Sequence, residues 1–238
     1  MAHSRALSIA NPARHHGPPV CTTCPIREQD LFAALVDDAV GPLAQVVEQS
    51  AMEAGALLHH AGQAGTWIST LQRGAIKLSQ VLPDGTQRIV RLLRPGDVLG
   101  LELLVEGRFQ HTAQSIVPST VCRIAVATLR AAADSDPAKF QALMQRWQQN
   151  LEEADYVITY LSTGSARSRI ARLMLHLEDP HAPGHCMALS RDDMGALLGI
   201  TSETASRVMA EFKRLEWVTE GNGSLQLNLP ALRAAAND

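Results

Sequence analysis

Between about Ala56 and Ala125 the chain alternates short runs of β-forming residues with turn-forming ones. After Pro137 the apolar positions fall instead into a repeat of four and three. The runs are Trp67-Ile-Ser-Thr-Leu, Ala75-Ile-Lys-Leu-Ser-Gln-Val and Arg88-Ile-Val-Arg-Leu-Leu. Between and after them lie Gln72-Arg-Gly, Pro83-Asp-Gly-Thr and Arg94-Pro-Gly-Asp. Gly74, Gly85, Gly96 and Gly107 recur at a constant interval and are read as turn formers only. Strands spaced by about 8–12 residues with such turns predict an antiparallel roll or barrel.

The later repeat predicts one long helix from Pro137 to about Leu161. Phe140, Met144, Trp147, Leu151, Ala154, Ile158 and Leu161 stand on it as a heptad seam. An apolar face can always pack on its own domain. The bulk of Trp147 and the persistence of the stripe favour parallel pairing with a second copy, so a homodimer is expected.

A shorter helix is predicted from Ser165 to about Leu177, then a polar Pro-Gly-His loop and a short strand around Met187-Ala-Leu. Ser190 has the position of an N-cap, with Asp193 at N3. The run from Gly195 to Phe212 then has the grammar of two crossed short helices. Leu197, Leu198 and Ile200 precede the bend at Gly199, and Val208, Met209 and Phe212 follow it. On the second helix Ser202, Glu203, Ser206 and Arg207 turn outward together near the N-terminus. These side chains suit base edges in a major groove. Arg207 can fork onto guanine O6 and N7, Glu203 can accept from the cytosine amine, and Ser206 can do either. Beyond Glu216, two β-runs around an Asn-Gly turn predict a wing.

Composition modifies this picture in three places. The 238 residues allow two small cored domains, and the net charge of −3 means that phosphate contact must come from a local cluster. Arg167, Arg169, Arg172, Arg191, Arg207, Lys213 and Arg214 offer one, and steep salt dependence is expected. No apolar stretch reaches the ~20 residues of a membrane span, and Met1-Ala-His-Ser-Arg has no apolar segment, so a cytoplasmic protein is expected. In that compartment Cys21, Cys24, Cys122 and Cys186 point to metal or redox chemistry rather than to a disulfide framework.

Cys21-Thr-Thr-Cys24 can direct two thiolates at one metal or cluster. A thiol-exchange enzyme would carry that spacing on a βαβ scaffold, whereas here it follows a stretch without periodicity, so no enzymatic activity is expected. Cys186 lies beside His185 and is read as structural or incidental.

Roll, long helix and winged helix-turn-helix in this order resemble the CRP/FNR family of bacterial transcription regulators. The likeness runs over nearly the whole chain past Val20. It implies an α+β protein: an antiparallel β-roll (a cupin-like jelly roll) as sensor, a long dimerisation helix and a C-terminal winged helix-turn-helix. The corresponding division is a tail at 1–20, a sensor at 21–133, the dimer helix at 134–163 and the DNA-binding domain at 164–238. Implied partners are double-stranded DNA, a second copy and RNA polymerase. Glu203-Thr-Ala-Ser-Arg207 is similar to the FNR branch and implies a TTGAT-type half-site in an inverted repeat, with Ser202 departing from the usual apolar residue.

The same resemblance implies an oxygen-labile 4Fe-4S iron-sulfur cluster on Cys21, Cys24 and Cys122. The family's further cysteine is Asp30 here. Asp30 is then either a harder fourth ligand or an ordinary helix-start acid, leaving an exogenous ligand in its place. Oxygen, nitric oxide or redox state would be the signal. The alternatives are a dithiol switch, zinc, haem through His59, His60 or His111, and a small-molecule ligand. A cyclic nucleotide is disfavoured because Leu101 and His111-Thr112 stand where the family's nucleotide-binding members place Glu and Arg-Ser.

Overall fold

The computed structural model describes Ala13–Arg14, residues 47–221 and residues 223–238. They form two compact units, one running up to Gln80 and resuming at Arg91–Leu151, the other comprising Val81–Val90 and Glu152–Asp238.

The first unit is a seven-stranded antiparallel roll. The strands of this sheet are β1 (Ala13–Arg14), β2 (Val47–Met52), β3 (Leu57–His59), β4 (Trp67–Val81), β5 (Gln87–Leu93, of which Gln87–Val90 belong to the second unit), β6 (Val98–Leu99) and β7 (Thr112–Ala125). They run in the order β1-β2-β7-β4-β5, with β3 on β7 and β6 on β4. Strand β7 is the spine. It pairs with β2 from Val47↔Ile124 to Met52↔Ser119, and with β4 from Trp67↔Ala125 to Ser79↔Thr112.

Because side chains alternate across a strand, this register sorts the wall into two faces. Val47, Ile68, Cys122 and Ile124 share one face, which packs on Leu101 and Leu103 of a short 3-10 helix (Leu101–Leu104). Leu129 of α1 (Val126–Ser135) and Leu143 of α2 (Pro137–Tyr156) complete that core. Burial of each such side chain contributes roughly 1.5–3 kcal/mol. Helix α1 is not foreseen by the hydrophobic pattern.

One turn expectation is corrected. Gln72-Arg-Gly74 is no turn: β4 runs through it as a single strand with register shifts on both sides of Arg73. Gly74 adopts φ 92°, and a Cβ there would come within 2.6 Å of the Pro118 carbonyl, so its role is to let a bulge approach β7.

Helix α2 begins at Pro137 as the heptad repeat predicts and gives way to a π-helical turn at Val157–Leu161. The hydroxyls of Thr159 and Thr163 donate to the carbonyls of Asp155 and Thr159, at 2.6 Å each, an interaction that loosens the helical ladder. Phe140, Met144, Trp147, Leu151 and Ile158 are exposed, Ala154 is half-buried and Leu161 is buried. The wider turn shifts the phase of the stripe at its last position.

The second unit contains α3 (Ala166–His176), β8 (Glu178–Asp179), β9 (Ala182–Met187), α4 (Arg191–Leu198), α5 (Ser202–Arg214), β10 (Val218–Glu220), β11 (Ser224–Leu227) and α6 (Leu229–Ala236). Its sheet runs β10-β11-β9-β8. Pro183-Gly-His185, expected as a loop, lies within β9. The strand is held by pairs such as Cys186↔Leu225 and Cys186↔Glu178, while Pro183 sits beyond the β11 pairing, where its missing N–H costs nothing. Helix α6, which the hydrophobic pattern does not foresee, is capped by Asn228, whose side chain accepts from the Ala231 N–H. Among the described residues no helix is long and apolar enough to cross a membrane.

Candidate nucleic-acid interface and sensory residues

Two caps and two glycines build the helix-turn-helix. The Ser190 hydroxyl accepts from the Asp193 N–H at 3.0 Å to start α4, and Gly199 ends it at φ 67°. Thr201 starts α5 by accepting from the Thr204 N–H at 3.1 Å. Gly195 allows the two helices to meet: a Cβ there would stand 2.7 Å from the Ile200 carbonyl oxygen. Neither Thr201 nor Gly195 was singled out in the sequence. A Thr just ahead of a helical run was the visible signal for the cap, and Gly195 carried none.

Helix α5 buries Ala205, Val208, Met209 and Phe212 and exposes Ser202, Glu203, Ser206 and Arg207, as its amphipathic spacing requires. Among the described residues none pairs with Glu203 or Arg207, so the outward face keeps its hydrogen-bonding capacity.

The cluster of cations is smaller than the sequence suggested. Arg167 pairs with Glu211 at 3.3 Å and Asp238 at 3.1 Å and stacks over Trp217 at 4.7 Å. Arg169 donates to the carbonyls of Gly164 and Leu198, and Arg172 to those of Tyr160, Thr163 and Ala236. Glu220 engages Arg191 at 3.4 Å and Lys213 at 2.6 Å, and these hydrogen bonds and charges hold its carboxyl below the usual range. Arg207 and Arg214 keep their charge uncommitted among the described residues. Most of the arginines beside the reader therefore hold the domain together.

Cys21, Cys24 and Asp30 lie outside the described residues. Cys122 is buried on the helix-packed face of the roll, within the apolar cluster that includes Leu143. A sulfur donor in a dry apolar shell fits an iron-sulfur centre in chemistry and in exclusion of water. Among the described residues no group of three His, Cys, Asp or Glu side chains is placed to hold a metal. Cys186 is buried, and burial followed by the nearby Glu178 charge pushes its thiol up to about 12, which leaves it unreactive.

The histidines raised for haem are placed otherwise. His59 stacks on Phe109 with ring centroids 3.5 Å apart, and burial first, then the neighbouring His111 and His60, holds it neutral down to about 3. His111 is likewise lowered, chiefly by burial. Leu101 belongs to the roll's apolar core, and the Thr112 hydroxyl accepts from the Ala61 N–H at 3.1 Å.

A β-roll followed on the same chain by a winged helix-turn-helix with an exposed polar face on its second helix defines a DNA-binding transcription regulator. Family models agree: one described as Cyclic nucleotide-binding domain matches residues 50–136, and one described as Crp-like helix-turn-helix domain matches residues 168–235. The chain belongs to the CRP/FNR family of regulators. It is 24% identical over 93% of its length to 97% of the regulatory protein HlyX of Actinobacillus pleuropneumoniae. To the fumarate and nitrate reduction regulatory protein of Escherichia coli it is 24% identical over 82% of its length and 80% of that protein. Among solved structures it resembles FixK2 from Bradyrhizobium japonicum, with a TM-score of 0.72, 23% identity and coverage of 80% of this chain and 97% of that one.

Proposed function

We propose that this regulator reads a TTGAT-like inverted repeat as a homodimer and responds to oxygen, nitric oxide or redox state through an iron-sulfur cluster. Cys21, Cys24 and Cys122 would hold the cluster, with Asp30 as fourth ligand, in a sensor spanning 21–133. When bound, such a cluster supplies a centre whose integrity depends on oxidants. The chain's own residues then divide the work. The exposed stripe from Phe140 to Ile158 on α2 and its π turn pairs two copies, setting two α5 helices one DNA turn apart. Arg207, Glu203, Ser206 and Ser202 read bases, and Arg214 supplies phosphate contact. The protein would act in the cytoplasm with RNA polymerase as partner and would not be an enzyme.

The observation that carries the DNA reading is the outward face of α5, unpaired among the described residues, above its buried Ala205, Val208, Met209 and Phe212. Names of FNR-type relatives and the soft, dry environment of Cys122 support the cluster. The test is anaerobic purification with iron and sulfide analysis, followed by titration of a TTGAT-containing inverted repeat and a scrambled duplex before and after exposure to air. Iron and sulfide in the protein, with duplex preference lost in air, are expected. Colourless protein with intact Cys21 and Cys24 would overturn the cluster, and equal affinity for both duplexes would overturn the reader.

A further inference from the structure

The face of the roll wall opposite Cys122 holds a cavity that neither the DNA reading nor the cluster uses. Its volume is about 210 Å³, and Ser50, Ser69, Val121, His59, Trp67 and Arg123 are among the residues that line it. Gln63–Thr66, exposed except at the half-buried Gly65, also line it. Leu101, His111 and Thr112, the positions that match the family's nucleotide contacts, do not line it.

Two observations point to an occupant. Ser50 is 1% exposed, and among the described residues its hydroxyl has no hydrogen-bond partner, which leaves a buried polar group unsatisfied unless something fills the space. Among the described residues the lining also carries one fixed cation and no carboxylate. Arg123 spends its Nε and Nη2 on Glu48, at 3.2 and 2.8 Å, and lies over the Trp67 ring at 5.0 Å. Glu48 is itself half-exposed, so an incoming anion exchanges for it at little cost.

We infer that this cavity is a binding site for a small organic carboxylate, whose oxygens meet the Arg123 guanidinium and the Ser50 hydroxyl while its carbon skeleton lies against Trp67 and Val121. A 210 Å³ space admits a molecule of about ten non-hydrogen atoms, far smaller than a nucleotide. Binding does not depend on the cluster or on the DNA reading, so its failure would leave both standing.

The test uses the full-length protein, with benzoate and succinate as probes and benzamide as the uncharged isostere of benzoate. Calorimetric titration is expected to give saturable binding of one carboxylate per chain, at least tenfold tighter for benzoate than for benzamide. Arg123→Gln should weaken it at least tenfold. Ser50→Val, which removes the unpartnered hydroxyl and narrows the cavity by one methyl group, should weaken binding at least tenfold while leaving the melting temperature equal or higher. Equal affinity for benzoate and benzamide, saturable binding by neither carboxylate at millimolar concentration, or undiminished binding in Ser50→Val would each overturn the assignment.

Discussion

Cys122 and Arg123 are neighbours on β7 and stand on opposite faces of the same sheet: Cys122 pairs across from Gln49 and Thr70, Arg123 from Glu48 and Ser69. One looks into the helix-packed core with Leu143, the other into the polar cavity. Substitutions at the two positions should therefore separate. Cys122→Ala is expected to destabilise the roll by about 1 kcal/mol through lost packing and to lower iron content, with benzoate titration unchanged. Arg123→Gln should do the reverse. Parallel loss of both properties in either variant would show that the faces are not independent.

Arg207 and Arg167 should also part company. Removing Arg207, which has no partner among the described residues, should cost roughly 1–3 kcal/mol of discrimination between the inverted repeat and scrambled DNA without moving the melting temperature. Arg167→Ala breaks the pairs to Glu211 and Asp238 and the stack on Trp217, so stability should fall by about 1–2 kcal/mol with the preference for sequence retained. Duplex titrations and thermal melts of both variants decide the matter.

Gly195→Ala tests the crossing of α4 and α5. The added methyl meets backbone, the Ile200 carbonyl, which cannot swing away as a side-chain end would. A loss of about 1–3 kcal/mol and weaker DNA binding are expected, measured by denaturant unfolding and duplex titration. Wild-type stability would mean that the bend relaxes freely.

His59 sets a pH dependence with a definite sign. Its folded-state value is lowered from 6.5 to about 3, chiefly by burial, so between those limits the unfolded chain binds the extra proton. The contribution to stability is complete above about pH 6.5 and is lost as pH falls, by at most about 1.4 kcal/mol per pH unit. His59→Gln, which cannot take up that proton, should flatten the slope of unfolding free energy between pH 7 and 5. Unchanged slopes would show that His59 is not the responsible group.

Leu151 is 53% exposed at the centre of the stripe on α2. Leu151→Asp should shift the protein from dimer to monomer in light scattering while circular dichroism stays constant, because a charge in a paired seam is left without solvent or partner. A persisting dimer would place the interface elsewhere.

Local chemistry was legible in the chain itself. The heptad repeat gave α2 its start at Pro137, and Ser190 announced α4. The spacing of Glu203, Ser206 and Arg207 against Val208, Met209 and Phe212 placed the exposed face of α5, because helix periodicity needs no distant partner. Long-range pairing decided the rest. Whether Gly74 was a turn or a bulge depended on how closely β7 approaches, and whether Pro183 sat in a loop or a strand depended on where β11 stops. Which arginines stay available for phosphate was settled by carbonyls and carboxylates far along the chain, such as Leu198, Ala236 and Asp238. The cavity behind Ser50 arises the same way, where three strands distant in sequence turn small side chains to one side, a property of register that no local pattern encodes.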